Sequence, residues 1–331
     1  MNLDRRAFRT ALLCSAVSLT PVLRAQSTWT GATSNDWNTA TNWTPTGVPS
    51  GSVVVNNATP AVVSTSAIAN TFSVGAAVGE ASVTVQSGAL LYTSGTASIG
   101  SDAGTTGKVT VTDPNSTWWN LGPMTLGANG TGALNVTNGA KVNQVTFSFS
   151  LPGIPSTPDF IVGNAGVGTM TISSGGSLTA GGAGAVIGGA VGGVGSVTVK
   201  DAGSNWQAGT IYVGKGGQGS LTVLNGATVN GSGSIGYDGT AGGGTGAVTI
   251  TEPGSTWNSG TVLIGRGDLT IANGGSVSST VATLGELAGA TATAHVTGPG
   301  ATLRPAGPRR VGWACLSGYP GAWSPQKSVR E

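Results

Sequence analysis

A chain of 331 residues with 58 glycines and only 8% charged side chains is not composed like an ordinary enzyme. A mean hydropathy of +0.15 and repeated Val-Thr-Val runs point to a folded, strand-rich protein rather than a disordered one. The net charge of +2 averages unlike regions: residues 26–303 hold five basic and ten acidic residues, a balance of −5 with no clustered Lys/Arg face to grip nucleic acid.

Residues 1–25 read as an export signal. Arg5, Arg6 and Arg9 make a positive start, Ala11 to Leu23 supply 13 mostly apolar residues, and Leu23-Arg24-Ala25 offers a small-residue cleavage site that would leave Gln26 as the mature N-terminus. An apolar run of that length is too short to cross a bilayer, so the mature chain is expected to carry no transmembrane segment. Arg5-Arg6-Ala7-Phe8 resembles a twin-arginine signal, while Asp4 and Arg9 depart from it, which leaves the Sec route equally open. Cys14 follows Leu13, which is too bulky for a lipoprotein box, and the second cysteine, Cys315, lies near the end; the body between them is expected to hold no disulfide. Residues 26–73 read as an N-terminal cap with the first strands, because Trp29, Trp37 and Trp43 gather before the first repeat, where a stack of coils must cover its apolar end.

From residue 74 an aliphatic-Gly step recurs nine times: Val74-Gly75, Ile99-Gly100, Leu126-Gly127, Val162-Gly163, Ile187-Gly188, Val213-Gly214, Ile235-Gly236, Ile264-Gly265 and Leu284-Gly285. Successive spacings are 25, 27, 36, 25, 26, 22, 29 and 20, the length of one solenoid coil of two or three short strands. The 36-residue unit contains Val145 to Phe160 with three prolines, read as a loop extruded near 145–160. Two kinds of coil are expected to alternate. One turns at Gln86-Ser87-Gly88-Ala89 or Thr137-Asn138-Gly139-Ala140, sequences suited to a positive-φ corner. The other runs through an acidic or small residue into Ser-Thr-Trp or Ser-Asn-Trp, as in Asp113-Pro114-Asn115-Ser116-Thr117-Trp118.

These runs, with Leu269-Thr270-Ile271-Ala272-Asn273-Gly274-Gly275 and the Trp-rich Ser27 to Ser50, resemble the repeat of bacterial autotransporter (type V secretion) passengers and of some PEP-CTERM surface proteins over roughly residues 74–303. The resemblance implies an all-β fold, a right-handed parallel β-helix of about nine coils, displayed at or released from a Gram-negative cell. It says little about activity, because that fold hosts adhesins, lyases and inert stalks. The translocator barrel or C-terminal sorting helix of those families does not appear in this sequence.

Asp113, Asp201 and Glu252 stand five positions before Trp118, Trp206 and Trp257, with Gly298 in the fourth copy. With coils about 4.8 Å apart, carboxylates two coils apart lie about 10 Å from each other, too far for a retaining glycosidase pair and just beyond an inverting one. They read as turn carboxylates that accept backbone N–H groups. His295 is the only histidine and has no Gly-x-Ser-x-Gly partner for a triad. Gly214-Lys215-Gly216-Gly217-Gln218-Gly219 matches a dinucleotide-loop spacing but leads into a strand, and Gly236-Tyr237-Asp238-Gly239 is a single acidic turn rather than a calcium repeat. No catalytic, cofactor or metal residue is therefore assigned. Trp118, Trp206 and Trp257 should form a spaced column along one flank, either packed beneath neighbouring turns or exposed to stack sugar rings.

The expected function is that of an exported, non-enzymatic, adhesin-like or structural β-helix whose partners are surface or matrix glycans or proteins. The competing reading is a polysaccharide lyase or glycosidase. Residues 304–331, with five basic residues and Pro305, Pro308, Pro320 and Pro325, are expected to leave the ladder after Leu303 as a disordered tail from a truncated or frameshifted frame. The alternative is a cap built on Trp313 and Trp323.

Overall fold

The computed structural model describes residues 26–77, 79–145, 159–182, 184–236, 243–285, 291–305, 309–311 and 314–317. The export segment at 1–25 and most of the expected loop, residues 146–158, lie outside the described residues. The chain winds through about ten turns of a parallel β-solenoid. Its only helical element among the described residues is the short 3-10 turn Ala40–Asn42.

Each full coil has three walls. The coil of Trp118 shows the pattern: Thr105–Val111 on the first wall, Thr117–Asn120 on the second and Met124–Leu126 on the third. First-wall strands stack on one another as an 11-stranded sheet, and the second and third walls are joined in a 21-stranded one. Alternation decides which side chains enter the stack. Val109 and Val111 point inward and are buried, while Lys108 and Thr110 face out, and the next coils place Leu134 with Val136 and Met170 with Ile172 in the same register. All nine aliphatic residues of the aliphatic-Gly steps form one buried third-wall column, from Val74 through Ile99, Leu126, Val162, Ile187, Val213, Ile235 and Ile264 to Leu284. The core is thus a set of rungs one residue deep, each apolar side chain covered by its copies above and below.

The glycine content follows from the corner between the third and first walls. There the chain crosses so close to the next coil that a Cβ on Gly127 would stand 2.1 Å from the Val167 carbonyl oxygen, in addition to its φ of +69°. One register position near the start of seven successive first-wall strands meets the same crowding. Gly107, Gly132, Gly168, Gly195, Gly219, Gly246 and Gly267 form an unbroken column, and a Cβ on Gly132 would reach within 2.2 Å of the Ile99 oxygen.

Two sequence expectations need correction. The coil types do not strictly alternate: two tight-turn coils, turning at Asn138 and Ser174, stand between those of Trp118 and Trp206, because Trp118 pairs with Val142, Val142 with Leu178 and Leu178 with Trp206. Nor does the ladder end at Leu303. Thr302–Pro305, Arg309–Val311 and Ala314–Ser317 continue all three walls in parallel register with the preceding coil. The register on both sides of residues 146–158 is also kept, with Lys141 opposite Ser177 and Phe160 opposite Met124, so that insertion leaves the stacking of its neighbours intact.

At the N-terminus, Trp29, Trp37 and Trp43 are all buried and lie edge to face, with ring centroids 4.9 Å apart for Trp29–Trp43 and 4.6 Å for Trp37–Trp43. Asn42, fully buried, ties this cap together: its Oδ1 accepts the N–H groups of Thr33 and Ser34, and its Nδ2 donates to the Asp36 carbonyl at 2.8 Å. Aromatic contact continues through Phe72, 6.2 Å from Trp37 and 5.4 Å from Trp118, into the solenoid proper.

Candidate functional site

The corner between the first and second walls carries the acidic residues. Asp113, Asp201 and Glu252 each adopt a left-handed conformation, with φ of 75°, 73° and 72°. For a residue with a Cβ that conformation costs roughly 1–2 kcal/mol. Each carboxylate accepts a hydrogen bond from the tight turn of the preceding coil: from Ser87 N–H at 3.0 Å, Ser174 N–H at 3.1 Å and Asn225 N–H at 3.1 Å. Three residues on, the buried Ser116, Ser204 and Ser255 accept the next N–H of the same turns, from Gly88, Gly175 and Gly226, at 2.9, 3.1 and 3.0 Å. Carboxylate and hydroxyl together clamp two turn amides, and a hydrogen bond to a charged acceptor contributes roughly 1.5–3 kcal/mol, enough to offset the strain. The clamp explains why the acidic residue and the serine recur at fixed spacing. With three coil steps between Asp113 and Asp201, those two carboxylates stand about 14 Å apart, further than the sequence spacing suggested.

Trp118, Trp206 and Trp257 occupy a second-wall column of side chains that runs Leu91, Trp118, Val142, Leu178, Trp206, Val229, Trp257 and Val277. All three are 0% exposed. They are core residues: of the two arrangements the sequence allowed, packing beneath neighbouring coils holds and the sugar-stacking flank does not, because their strand position points inward. Trp118 donates its indole N–H to Thr93 Oγ1 at 3.0 Å and Trp257 to the Gly231 carbonyl at 2.9 Å, each reaching the preceding coil.

The other sequence candidates are not brought together. His295 is exposed on the first wall, in register with Thr270. Gly219 lies inside strand Gln218–Leu224 rather than at a helix start, so the dinucleotide-loop spacing is a chance match. The turn at residues 237–239 lies outside the described residues. Among the described residues no group of three or more His, Cys, Asp or Glu is placed to hold a metal ion.

What the structure does assemble is an outward column on the second wall. Ile68, Tyr92, Trp119 and Asn143 stand in register on four successive coils, with Ile68 55% and Trp119 41% exposed and Leu90 exposed beside them. Further along, the same column becomes Thr179, Gln207, Asn230, Asn258 and Ser278. Its amides are linked across coils: Ser278 Oγ donates to Asn258 Oδ1, Asn258 Nδ2 to Asn230 Oδ1 and Asn230 Nδ2 to Asn205 Oδ1, at 3.1, 3.0 and 2.8 Å. The aromatic pair Tyr92 and Trp119, flanked by Ile68 and continued by amides at about 4.8 Å per step, is suited to holding a neutral, hydroxyl-rich polymer laid along the stack. The signal for it was present in Trp118-Trp119: adjacent strand residues face opposite sides, so one of the pair had to point out.

No protein-family model matches this chain, and no curated protein or solved structure matches it either.

Proposed function

We propose that the chain is an exported, non-enzymatic β-solenoid of the passenger type, which binds glycans along its second wall in the manner of an adhesin. The observation that carries this reading is the outward ladder of Ile68, Tyr92, Trp119 and Asn143, continued by a hydrogen-bonded amide column on the same face. Two further features support it. The carboxylates that a glycosidase would use are engaged singly as turn clamps, and the residues of 1–25 have the charge and apolar pattern of an export signal. No helix among the described residues is long and apolar enough to cross a membrane. Incubating the chain with a panel of insoluble polysaccharides tests the reading: co-sedimentation with at least one of them, with no release of reducing ends, is expected. Steady release of reducing ends or of unsaturated products would replace it with the lyase or glycosidase reading.

A further inference from the structure

The first wall carries a second feature, created by an irregularity in coil length. In most coils the corner from the third to the first wall needs several residues: Gly132 follows Gly127, and Gly219 follows Gly214, by five positions. At Gly265-Arg266-Gly267 the step takes two, although Gly267 holds the same place in the glycine column, opposite Gly246. The coils on either side have long corners, with Gly246 ten positions after Gly236 and Ala292 seven after Gly285. At this short corner the described residues leave a notch on the outer edge of the first wall. A groove of about 470 Å³ opens there, within the roughly 300–1,000 Å³ of small-molecule sites.

Its floor is the backbone of Gly219, Gly246 and Gly267, and its walls include Gln218, Thr245, Ala247, Arg266, Asp268 and Thr291. Arg266 is the only arginine of residues 26–303, and its guanidinium is pinned by an N–H donated from Nη1 to the Gly243 carbonyl at 2.9 Å. Asp268 accepts the Thr293 hydroxyl, which sets its orientation from the next coil. One cation, one carboxylate, one amide and three hydroxyl-bearing residues, Ser220, Thr245 and Thr291, therefore line the same small space. Donors and acceptors of both charge signs suit a ligand that is itself neutral and carries adjacent hydroxyls, each able to donate and accept. A lone anion would meet Asp268, and a lone cation would meet Arg266.

We propose that this notch binds a single neutral pyranose unit, as a site separate from the aromatic ladder of the second wall. Saturation-transfer NMR titrations of the full chain with glucose, N-acetylglucosamine and glucuronate test it. At least one neutral sugar should saturate, and more tightly than glucuronate. Asp268→Ala should weaken binding at least about tenfold, the loss expected for one hydrogen bond to a charged group. In a Trp119→Ala background, which removes the second-wall ring and its own sugar contact, binding at the notch should persist, and adding Ala247→Trp, an exposed change that fills the groove without touching the core, should abolish it. Failure of both neutral sugars to bind, tighter binding of glucuronate, or binding that survives Ala247→Trp in that background or Asp268→Ala would overturn the assignment. Loss of binding in Trp119→Ala would place the sugar on the second wall instead, and would overturn it equally.

Discussion

A buried indole N–H needs an acceptor, and the three interior tryptophans meet that need differently. Trp118 reaches Thr93 Oγ1 and Trp257 the Gly231 carbonyl, but Trp206 Nε1 has no hydrogen-bond partner among the described residues. The position equivalent to Thr93, one coil before Trp206, is Ala180, which has no side-chain hydroxyl to accept the indole N–H. Replacing each ring by Phe separates packing from hydrogen bonding. Both Trp118→Phe and Trp206→Phe lose buried surface, but only the first also breaks a bond, so Trp206→Phe should be less destabilising by about 1 kcal/mol. Urea midpoints of the two variants against the parent give the comparison, and equal losses would mean that Trp206 has an acceptor after all. At this scale the sequence was partly legible. The turn role of Asp113, Asp201 and Glu252 could be read from residue type and spacing, whereas their exact acceptors are turn amides of another coil and appear only once coils are stacked.

At the scale of the strand and coil, the pairing is a matter of size as well as register. On the third wall one inward column runs Phe72, Ala97, Met124, Phe160, Ala185, Ile211, Gly233 and Val262. Its small members Ala97, Ala185 and Gly233 fall in the coils that immediately precede Trp118, Trp206 and Trp257. Large and small residues interdigitate along the stack, as close packing requires. The contact is explicit at Gly233, where an added Cβ would stand 2.2 Å from the Trp257 ring. Gly233→Ala should therefore destabilise the protein by about 1–3 kcal/mol through overpacking, and Trp257→Phe in the same chain should recover part of that loss. Thermal melts of the two single variants and the double variant measure the coupling; strictly additive losses would show that the ring and the Gly233 site do not compete. Coil boundaries from Val74 to Leu284 were legible, because an aliphatic-Gly step marks each of them, whereas the first coil turns at Val55-Asn56. The broken alternation was legible too, since three aliphatic-Gly steps and no Trp stand between Trp119 and Trp206. The continuation beyond Leu303 was missed because proline was taken to stop the ladder, yet Pro305 stands at the last residue of its strand, where no later pairing depends on its missing N–H.

For the whole molecule, nearest-neighbour stacking makes stability a sum over coils, so the outer surface can change character along the axis without cost to the core. The same second-wall column is aromatic and aliphatic from Ile68 to Trp119 and amide-rich from Asn143 onward, while the inward columns stay apolar apart from a short buried polar run of Thr93, Asn120 and Gln144 at the end of the second wall. Fold and binding surface are thereby written in alternate residues of the same strands. The fold half of that pattern repeats and was readable; the surface half does not repeat, and a search for recurring tryptophans led to the buried set. Affinity for a bound polysaccharide, measured side by side for the parent and for Trp119→Ala, tests this division most directly. One stacking contact on an aromatic face contributes about 1 kcal/mol, so Trp119→Ala should weaken binding by about fivefold while the melting temperature stays that of the parent. Unchanged affinity in Trp119→Ala, or a variant that loses its fold along with its binding, would contradict the account.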